Sequence, residues 1–192
     1  MQYFNGLNMG EGIAGPSNIG AATTVIYSCM GIAFVNRQKS FGGLYHYPAK
    51  TLDNKNVADT IRQMFNDIQP DEIVLTPAKN TGMGMGSDVE DIDESIKFLK
   101  ALGNQSHKVT RANPRSLAVL TWTQNGTPVF NEVPGDQEER NVDQRYRSTM
   151  STGRRELEGN IWYYGGDGET PGVLEQGLKT TKEGAKRRCI IL

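Results

Sequence analysis

Short apolar runs typical of strands alternate along this chain with stretches in which apolar residues recur at helical spacing, and this alternation predicts the order of its elements. Short apolar or β-branched runs at 23–28, 30–36 and 41–47 are typical of buried strands. Apolar residues then recur every three or four positions, which predicts an amphipathic helix carrying Val57, Ile61, Met64, Phe65 and Ile68. Pro70 ends this helix, because proline lacks the amide hydrogen that a further turn needs.

The second half of the chain shows the same alternation of periods. A glycine loop at 81–86 precedes a second amphipathic helix, which Ser87 or Asp88 can cap. The inner face of that helix carries Val89, Ile92, Ile96, Leu99 and Leu102. Short strands are predicted at 73–76, 108–112, 117–123 and 127–133. Asn125-Gly126 is typical of a hairpin turn between the last two of them.

This order of elements predicts one α/β or α+β domain over residues 1–135, with two main helices. Residues 1–21 are rich in glycine and weakly apolar, which predicts a loop or a short strand. Residues 136–192 are polar and dense in charge, so we expect an extension that is partly docked and partly mobile. Within it, 161–164 is apolar enough to add one strand or to dock as a patch.

Composition narrows the classes of function. The 192 residues carry a formal net charge of −1, so no basic field favours nucleic acid as a partner. No apolar stretch approaches the roughly 20 residues that a transmembrane helix needs, and residues 1–6 lack the basic and apolar regions of a signal peptide. Two cysteines do not make a disulfide framework. We therefore expect synthesis in a reducing cytoplasm, with any secretion by a route that needs no cleaved signal.

The candidate chemistry lies in Cys29 and His46, one of two cysteines and one of two histidines in the chain. Both stand near the ends of predicted strands. A thiol becomes a useful nucleophile when a base takes its proton and a third polar group fixes that base, here the hydroxyl of Thr23. The backbone amides of Cys29 and Met30 are the expected oxyanion donors. On spacing alone, an inert buried thiol beside a loop histidine is the favoured interpretation.

These residues resemble the active-site segment of the CheD chemoreceptor glutamine deamidases. That family has a Thr, a Ser-Cys six residues on, and a Gly-Gly-x-x-His that places the histidine seventeen residues after the cysteine. Thr23, Ser28-Cys29 and Gly42-Gly43-Leu44-Tyr45-His46 keep both intervals. The likeness continues in order over roughly residues 15–133. It implies a CheD-like layered sandwich of mixed or antiparallel sheet with two main helices. In this sandwich Cys29 is the nucleophile, His46 is the base and Thr23 holds the base.

The same resemblance indicates the substrate side of the site. Ser28 and Tyr45, next to the two catalytic positions, are expected to face the substrate. The chain departs from the family nearby, since Pro77-Ala78-Lys79-Asn80 replaces a Gly-Gly-Ala segment and Ala112-Asn113-Pro114 replaces a Gly-Gly pair. Similar Cys-His chemistry occurs in toxins resembling cytotoxic necrotizing factor. The resemblance therefore implies a protein glutamine deamidase that needs no cofactor, here a secreted bacterial effector or toxin acting on a host protein.

Gly82, Gly84 and Gly86 follow a strand and precede a helix, as glycines do in phosphate-binding loops. No phosphate-binding lysine follows, and five carboxylates between 88 and 94 would repel an anion. A flexible loop that faces the substrate is the favoured interpretation. The carboxylates at 88–94 and 136–139 lack the spacing of a metal site, so no metal is expected. His107, in a polar turn, is expected to be exposed.

The last four residues, Cys189-Ile190-Ile191-Leu192, fit the Cys-aliphatic-aliphatic-X prenylation motif, and Lys186-Arg187-Arg188 precede them. This end resembles the tails of Rho-type small GTPases. A prenyl group and nearby basic residues are the two signals that stable membrane anchoring requires. An effector would receive the lipid on Cys189 inside the host cell and associate with a host membrane there. The alternative is an accidental match in an apolar terminal run.

Two alternatives to an effector deamidase stay open. One is a housekeeping chemoreceptor deamidase of bacterial chemotaxis, against which the Cys189 motif and the long extension argue. The other is a non-catalytic protein-binding module on the same fold, in which Cys29 would react with iodoacetamide no faster than a free thiol. An amine in place of water would turn deamidation into transglutamination, and the sequence does not distinguish the two.

Overall fold

The part of the chain that the computed structural model describes forms eleven strands and two helices. It comprises residues 2–4, 7, 10–17, 20–26, 29–78, 88–104, 106–114, 117–122, 128–132, 153–157 and 160–165. The strands are β1 (Gln2–Phe4), β2 (Gly12–Pro16), β3 (Gly20–Val25), β4 (Met30–Asn36), β5 (Phe41–Tyr47), β6 (Glu72–Pro77), β7 (Lys108–Arg111), β8 (Leu117–Trp122), β9 (Pro128–Glu132), β10 (Arg154–Leu157) and β11 (Ile161–Tyr164). The helices are α1 (Lys55–Ile68) and α2 (Val89–Lys100).

The strands form two sheets. Seven strands make a mixed sheet in the order β10-β11-β2-β5-β4-β6-β7, in which only β6 and β7 pair in parallel. Four more make a second sheet in the order β1-β3-β8-β9. The antiparallel pair β8–β9 places Trp122 opposite Pro128, as the Asn125-Gly126 hairpin predicts. The α+β class, with a mixed sheet and two helices, is thereby confirmed.

The seven-stranded sheet is the middle layer of three. One face of this sheet, which contains Phe34 and Tyr45, packs against the helices, and we call it the helix face. There α1 contacts β4 and β5, and α2 contacts β6 and β7. The side chains that alternate with these, including Ile13, Ala33 and Leu44, are buried as well. The four-stranded sheet contacts β2, β4 and β5 and covers this second face, which we call the inter-sheet face.

Helix α1 forms where the helical period predicts it, and both of its ends are capped. The Asn54 side chain accepts a hydrogen bond from the backbone N–H of Asn56 at 3.0 Å. Gln69 turns the chain out of the helix with a φ of 50°, and its N–H donates to the Phe65 carbonyl. The main core lies between the helices and the sheet and includes Ile32, Phe34, Tyr45, Tyr47, Ile61, Met64, Ile68, Leu75, Ile92 and Leu99.

The strands that are buried on both faces agree best with the sequence pattern. Continuous apolar runs predict strands at 30–36 and 41–47, and β4 and β5 have these bounds. The strand predicted at 23–28 begins and ends three residues earlier, as β3. Neither of the two described helices has the length and apolar character that a membrane crossing requires.

The largest difference from the prediction lies in residues 1–21, which contain two strands rather than a loop or one short strand. Strand β2 lies inside the large sheet, between β5 and β11. Its sequence, Gly-Ile-Ala-Gly-Pro, has few of the residues that favour strands. The position of Gly12 explains this composition, because a Cβ there would lie 2.6 Å from the sulfur of Met64. Because α1 packs closely on β2, glycine replaces the larger apolar residues whose alternation would have identified a strand in the sequence.

Part of the predicted extension, 136–192, belongs to the large sheet. Strands β10 and β11 form an antiparallel hairpin, and β11 pairs with β2. Asp67 of α1 holds this hairpin, since it accepts hydrogen bonds from Arg154 at 2.7 Å and from the Tyr164 hydroxyl at 3.1 Å. The apolar run at 161–164 therefore adds a strand, whereas the charged sequence of β10 gave no strand signal. The other residues of the extension, apart from 153, 160 and 165, are outside the described part.

Gly43 provides a test of the packing between α1 and β5. A Cβ at this position would lie 2.7 Å from Cδ1 of Ile68 and 2.9 Å from the Ile13 carbonyl oxygen. We expect Gly43→Ala to lower the free energy of unfolding by about 1–3 kcal/mol, measured by urea denaturation. Gly153→Ala is the matched control, because a Cβ there meets nothing within 4 Å. Equal losses in the two variants would contradict this packing.

Candidate active site

Cys29 and His46 lie at the same end of the large sheet. Cys29 immediately precedes β4, and His46 is on β5 directly opposite Gly31 of β4. Continuing the alternation of β4 one residue back, to the bend at Cys29, puts residue 29 on the same face as Gly31, and opposite residues share a face. Thiol and imidazole are therefore both on the inter-sheet face, in diagonal positions on adjacent strands. Such positions lie about 7–8 Å apart, or somewhat less between Cβ atoms.

Cys29 and His46 are both buried, which is compatible with a reaction centre protected from solvent and also with an inert core. The exposed fractions of Cys29 and His46 are 5% and 6%. Cys29 forms no disulfide. Gly31, which is opposite His46 and two residues after Cys29, has no side chain beyond hydrogen to crowd either residue. The register of β4 and β5 thus puts a thiol and an imidazole near the same end of neighbouring strands.

The main chain of residues 7–11 holds His46. Its Nδ1 lies 2.8 Å from the Leu7 carbonyl oxygen. Its backbone N–H donates to the Glu11 carbonyl at 2.9 Å, and its carbonyl accepts from the Gly10 N–H at 2.8 Å. Because a carbonyl oxygen can only accept, Nδ1 carries the proton of the neutral ring. The lone pair is therefore on Nε2, the nitrogen that can act as a base.

The backbone carbonyl of Leu7 makes a contact with His46 that is separate from the one predicted for Thr23. The group that fixes the imidazole through Nδ1 is the carbonyl of Leu7, which the sequence analysis did not consider. Thr23 is in β3 of the other sheet, with its backbone opposite Val119. Its side chain is outside the described part, so a separate role for its hydroxyl stays a prediction.

Burial makes His46 a neutral histidine. Removal from solvent lowers its pKa from the ordinary 6.5 to about 4, and the hydrogen bond to Leu7 opposes this shift only in part. At neutral pH the ring therefore carries one proton, on Nδ1. A neutral imidazole can accept a proton from a thiol as the thiol attacks, so the resting site does not depend on a preformed thiolate–imidazolium ion pair.

The backbone amides of Cys29 and Met30, the two predicted oxyanion donors, have different places in the sheet. The N–H and C=O of His46 both point toward β2. In an antiparallel ladder the next residue, Tyr47, then points toward β4 and exchanges hydrogen bonds with Met30. The Met30 amide is consequently part of the sheet and is not an oxyanion donor, which corrects that prediction. The Cys29 amide remains the predicted donor.

Tyr45 does not face a substrate. Its exposed fraction is 0%, and it packs in the core on the helix face, because it is adjacent to His46 and points the opposite way. Burial raises the pKa of its hydroxyl. The predicted positions Ser28, Gly82, Gly84, Gly86 and Cys189 are outside the described part, so the predictions for them stand as they were.

Two buried polar residues on the inter-sheet face were missed. Glu11 precedes β2 and accepts the backbone N–H of His46 with its carbonyl, and Thr76 of β6 is opposite Gly31. Their exposed fractions are 3% and 0%. The only sequence signal was for Thr76, as a hydroxyl residue at the end of the apolar run Ile73-Val74-Leu75. Among the described residues, no group of three or more His, Cys, Asp or Glu side chains could hold a metal ion.

His107 is also placed differently from the prediction. Its ring packs on Phe65 with 5.0 Å between ring centroids, and its Nε2 lies 2.9 Å from the Leu99 carbonyl oxygen. It is thus part of the contact between α1, α2 and β7 rather than a fully exposed turn residue.

The two histidines of the chain give a direct test of the neutral state of His46. Their carbonyl partners predict opposite tautomers, with the proton on Nδ1 in His46 and on Nε2 in His107. We expect nitrogen NMR of histidine-labelled protein to show the Nδ1-protonated tautomer for His46 at pH 7, and His46 to stay neutral down to about pH 4. A His46 ring that titrates at its ordinary value would contradict the described burial.

The fold and site together define a two-sheet α+β protein with a buried thiol–imidazole pair. Comparison with protein-family models found no matching family, and comparison with curated proteins found no match. The resemblance to CheD deamidases thus rests on the residues named above.

Proposed function

We propose that this protein is a cysteine-dependent protein glutamine deamidase. The observation that carries the proposal is the placement of Cys29 and His46 on one face of adjacent strands, with the Nδ1 proton of His46 directed to Leu7. That arrangement makes Nε2 the basic nitrogen of the ring. It supplies the nucleophile, the base and the group that orients the base, which acyl-transfer chemistry requires.

The proposed reaction has two stages. His46 Nε2 takes the proton of Cys29 as the sulfur attacks the carboxamide carbon of a glutamine, and a tetrahedral oxyanion forms. Collapse of the oxyanion breaks the C–N bond, and the proton on His46 leaves with ammonia. His46 then takes a proton from water, whose oxygen attacks the thioester. The C–S bond breaks, and His46 returns the proton to the sulfur of Cys29. The products are glutamate and the free thiol, while an amine in place of water would give transglutamination.

The substrate and setting follow from the resemblance and the C-terminal motif. We propose a host protein as the bearer of the glutamine and a secreted bacterial effector as the setting, with Cys189 as a prenylation site in the host cell. A housekeeping role on chemoreceptors is the alternative setting. A mass spectrum of protein recovered from eukaryotic cells tests the anchor, and an unmodified Cys189 would count against it.

The near-complete burial of Cys29 and His46 favours a second candidate, a non-catalytic binding module. Buried cysteines are commonly inert. Iodoacetamide separates the candidates, because a catalytic Cys29 should react faster than a simple thiol, and the His46→Ala variant should lose that advantage. Equal rates for wild type, His46→Ala and glutathione would favour the binding module.

Ammonia release tests the proposed reaction without knowledge of the target. The protein is incubated with an extract of eukaryotic cell proteins, and ammonia is measured over time by an enzyme-coupled assay. We expect continuous release that depends on both the protein and the extract. Release no greater than in the extract alone would contradict the proposed deamidation.

A further inference from the structure

The Thr76 hydroxyl is a buried polar group that the proposed reaction has not used. Thr76 lies near the end of β6 with an exposed fraction of 0%. In the part of the chain that the structure describes, no hydrogen-bond partner meets its Oγ1. A buried hydroxyl without a partner destabilises a fold, so such groups are rare and call for an explanation.

The register places this hydroxyl beside the nucleophile. Gly31 of β4 is opposite His46 of β5 on one side and opposite Thr76 of β6 on the other. All three residues are on the inter-sheet face, and Cys29, two residues before Gly31, is diagonal to both His46 and Thr76. Each diagonal spans about 7–8 Å or somewhat less. The thiol is therefore flanked by the imidazole on one side and by an unused hydroxyl on the other.

The proposed reaction needs a donor in this place. A tetrahedral intermediate requires hydrogen bonds to its oxyanion, commonly from two groups. The Met30 amide is taken by the ladder to Tyr47. A threonine hydroxyl has a rotatable proton and can replace an amide in this role.

We propose that the Thr76 hydroxyl donates a hydrogen bond to the carboxamide oxygen of the substrate, and to the oxyanion that this oxygen becomes. The inference rests on the proposed deamidation. As the sulfur–carbon bond forms, the C=O electron pair moves to oxygen, and Thr76 stabilises that charge without transferring its proton. The hydroxyl, which meets no acceptor among the described residues, would acquire one when substrate binds.

Thr76→Val is the informative variant, because valine has nearly the shape of threonine without the hydroxyl. We expect the maximal rate of ammonia release from the eukaryotic protein extract to fall about 100-fold. The extract concentration at half-maximal rate should change little. The rate of Cys29 alkylation by iodoacetamide should stay within about twofold of wild type, since Thr76 acts on the substrate and not on the thiol.

Stability should move in the opposite direction to activity. Loss of an unpartnered buried hydroxyl should raise the Tm of Thr76→Val by about 2–4 °C. The matched control is Thr60→Val on α1, because the buried Thr60 hydroxyl donates to the Asn56 carbonyl at 2.8 Å. That variant should lose stability and keep its rate of ammonia release. Thr76→Ser, which retains a hydroxyl, should recover most of the activity.

The outcomes separate this inference from the proposed function. Wild-type activity in Thr76→Val would overturn the role of Thr76 and leave deamidation intact. A fall in activity together with slower alkylation and a lower Tm would indicate a structural role and also overturn it. No ammonia from the wild type would overturn both proposals.

Discussion

Cys29→Ser is expected to lower ammonia release by at least about 10³-fold, because a hydroxyl beside a neutral histidine of low basicity is a far weaker nucleophile than a thiol. The change replaces one atom in a buried site, so the fold should be retained. The measurement is the initial rate of ammonia release from the eukaryotic protein extract, with circular dichroism to verify the fold.

The chain offers a matched control in its second cysteine. Cys189→Ser removes a thiol from the C-terminal motif, far along the sequence from the candidate site, and should leave the rate of ammonia release in solution unchanged. A Cys29→Ser variant that is as active as wild type would contradict the nucleophile. Loss of activity in Cys189→Ser alone would assign the reactive thiol to the other end of the chain.

Acidification from pH 6.5 to pH 4 is expected to remove about 3 kcal/mol of stability through His46 alone. The folded protein holds the His46 pKa at about 4, whereas the unfolded chain has the ordinary value of 6.5. Between these values the unfolded state binds one more proton, so stability rises with pH. The contribution is fully present above pH 6.5 and is lost as the pH falls to about 4.

Urea denaturation at several pH values measures this effect, and His46→Gln isolates it. The glutamine cannot titrate, so the slope of unfolding free energy against pH between 4 and 6.5 should decrease by about one proton. Glu11, which neighbours His46, and the carboxylates of Asp59, Glu72 and Asp88, whose pKa values are lowered by ion pairs or hydrogen bonds, remain in both proteins. The same slope in both proteins would contradict a His46 that is kept neutral by burial.

The sequence predicted the parts of the fold that depend on local pattern. The runs at 30–36 and 41–47 are continuous and apolar because β4 and β5 are covered on both faces, by helices and by the second sheet. The helical period marked the buried face of α1, and Asp88 caps α2. These signals are strong because the position of a residue within its own strand or helix determines whether its side chain is buried.

The strands that the sequence missed depend on distant packing. Strand β2 uses glycine where Met64 of α1 approaches its backbone, so its pattern contains little apolar periodicity. Strand β10 is polar because it lies at the edge of the sheet, and Asp67, which is 87 residues away in sequence, holds Arg154. Neither contact can be predicted from the sequence near these strands, because the partner residue is far away in the chain.

The candidate site was predictable only in its side-chain chemistry. Two rare residues at the ends of adjacent strands indicated Cys29 and His46. The carbonyl that orients His46 belongs to Leu7, 39 residues earlier, and a carbonyl is present at every position. The loss of Met30 as an oxyanion donor and the placement of Thr76 both follow from the strand register, which pairs β4 with β5 and with β6.

The central claim, that Cys29 converts a protein glutamine to glutamate, is tested most directly by mass spectrometry of a eukaryotic protein extract treated in isotopically labelled water. The wild-type protein should convert particular glutamines to glutamates that carry oxygen from the labelled water, since water hydrolyses the thioester. The Cys29→Ser protein should leave these glutamines unchanged. The same set of labelled glutamates with both proteins, or none with either, would contradict the account.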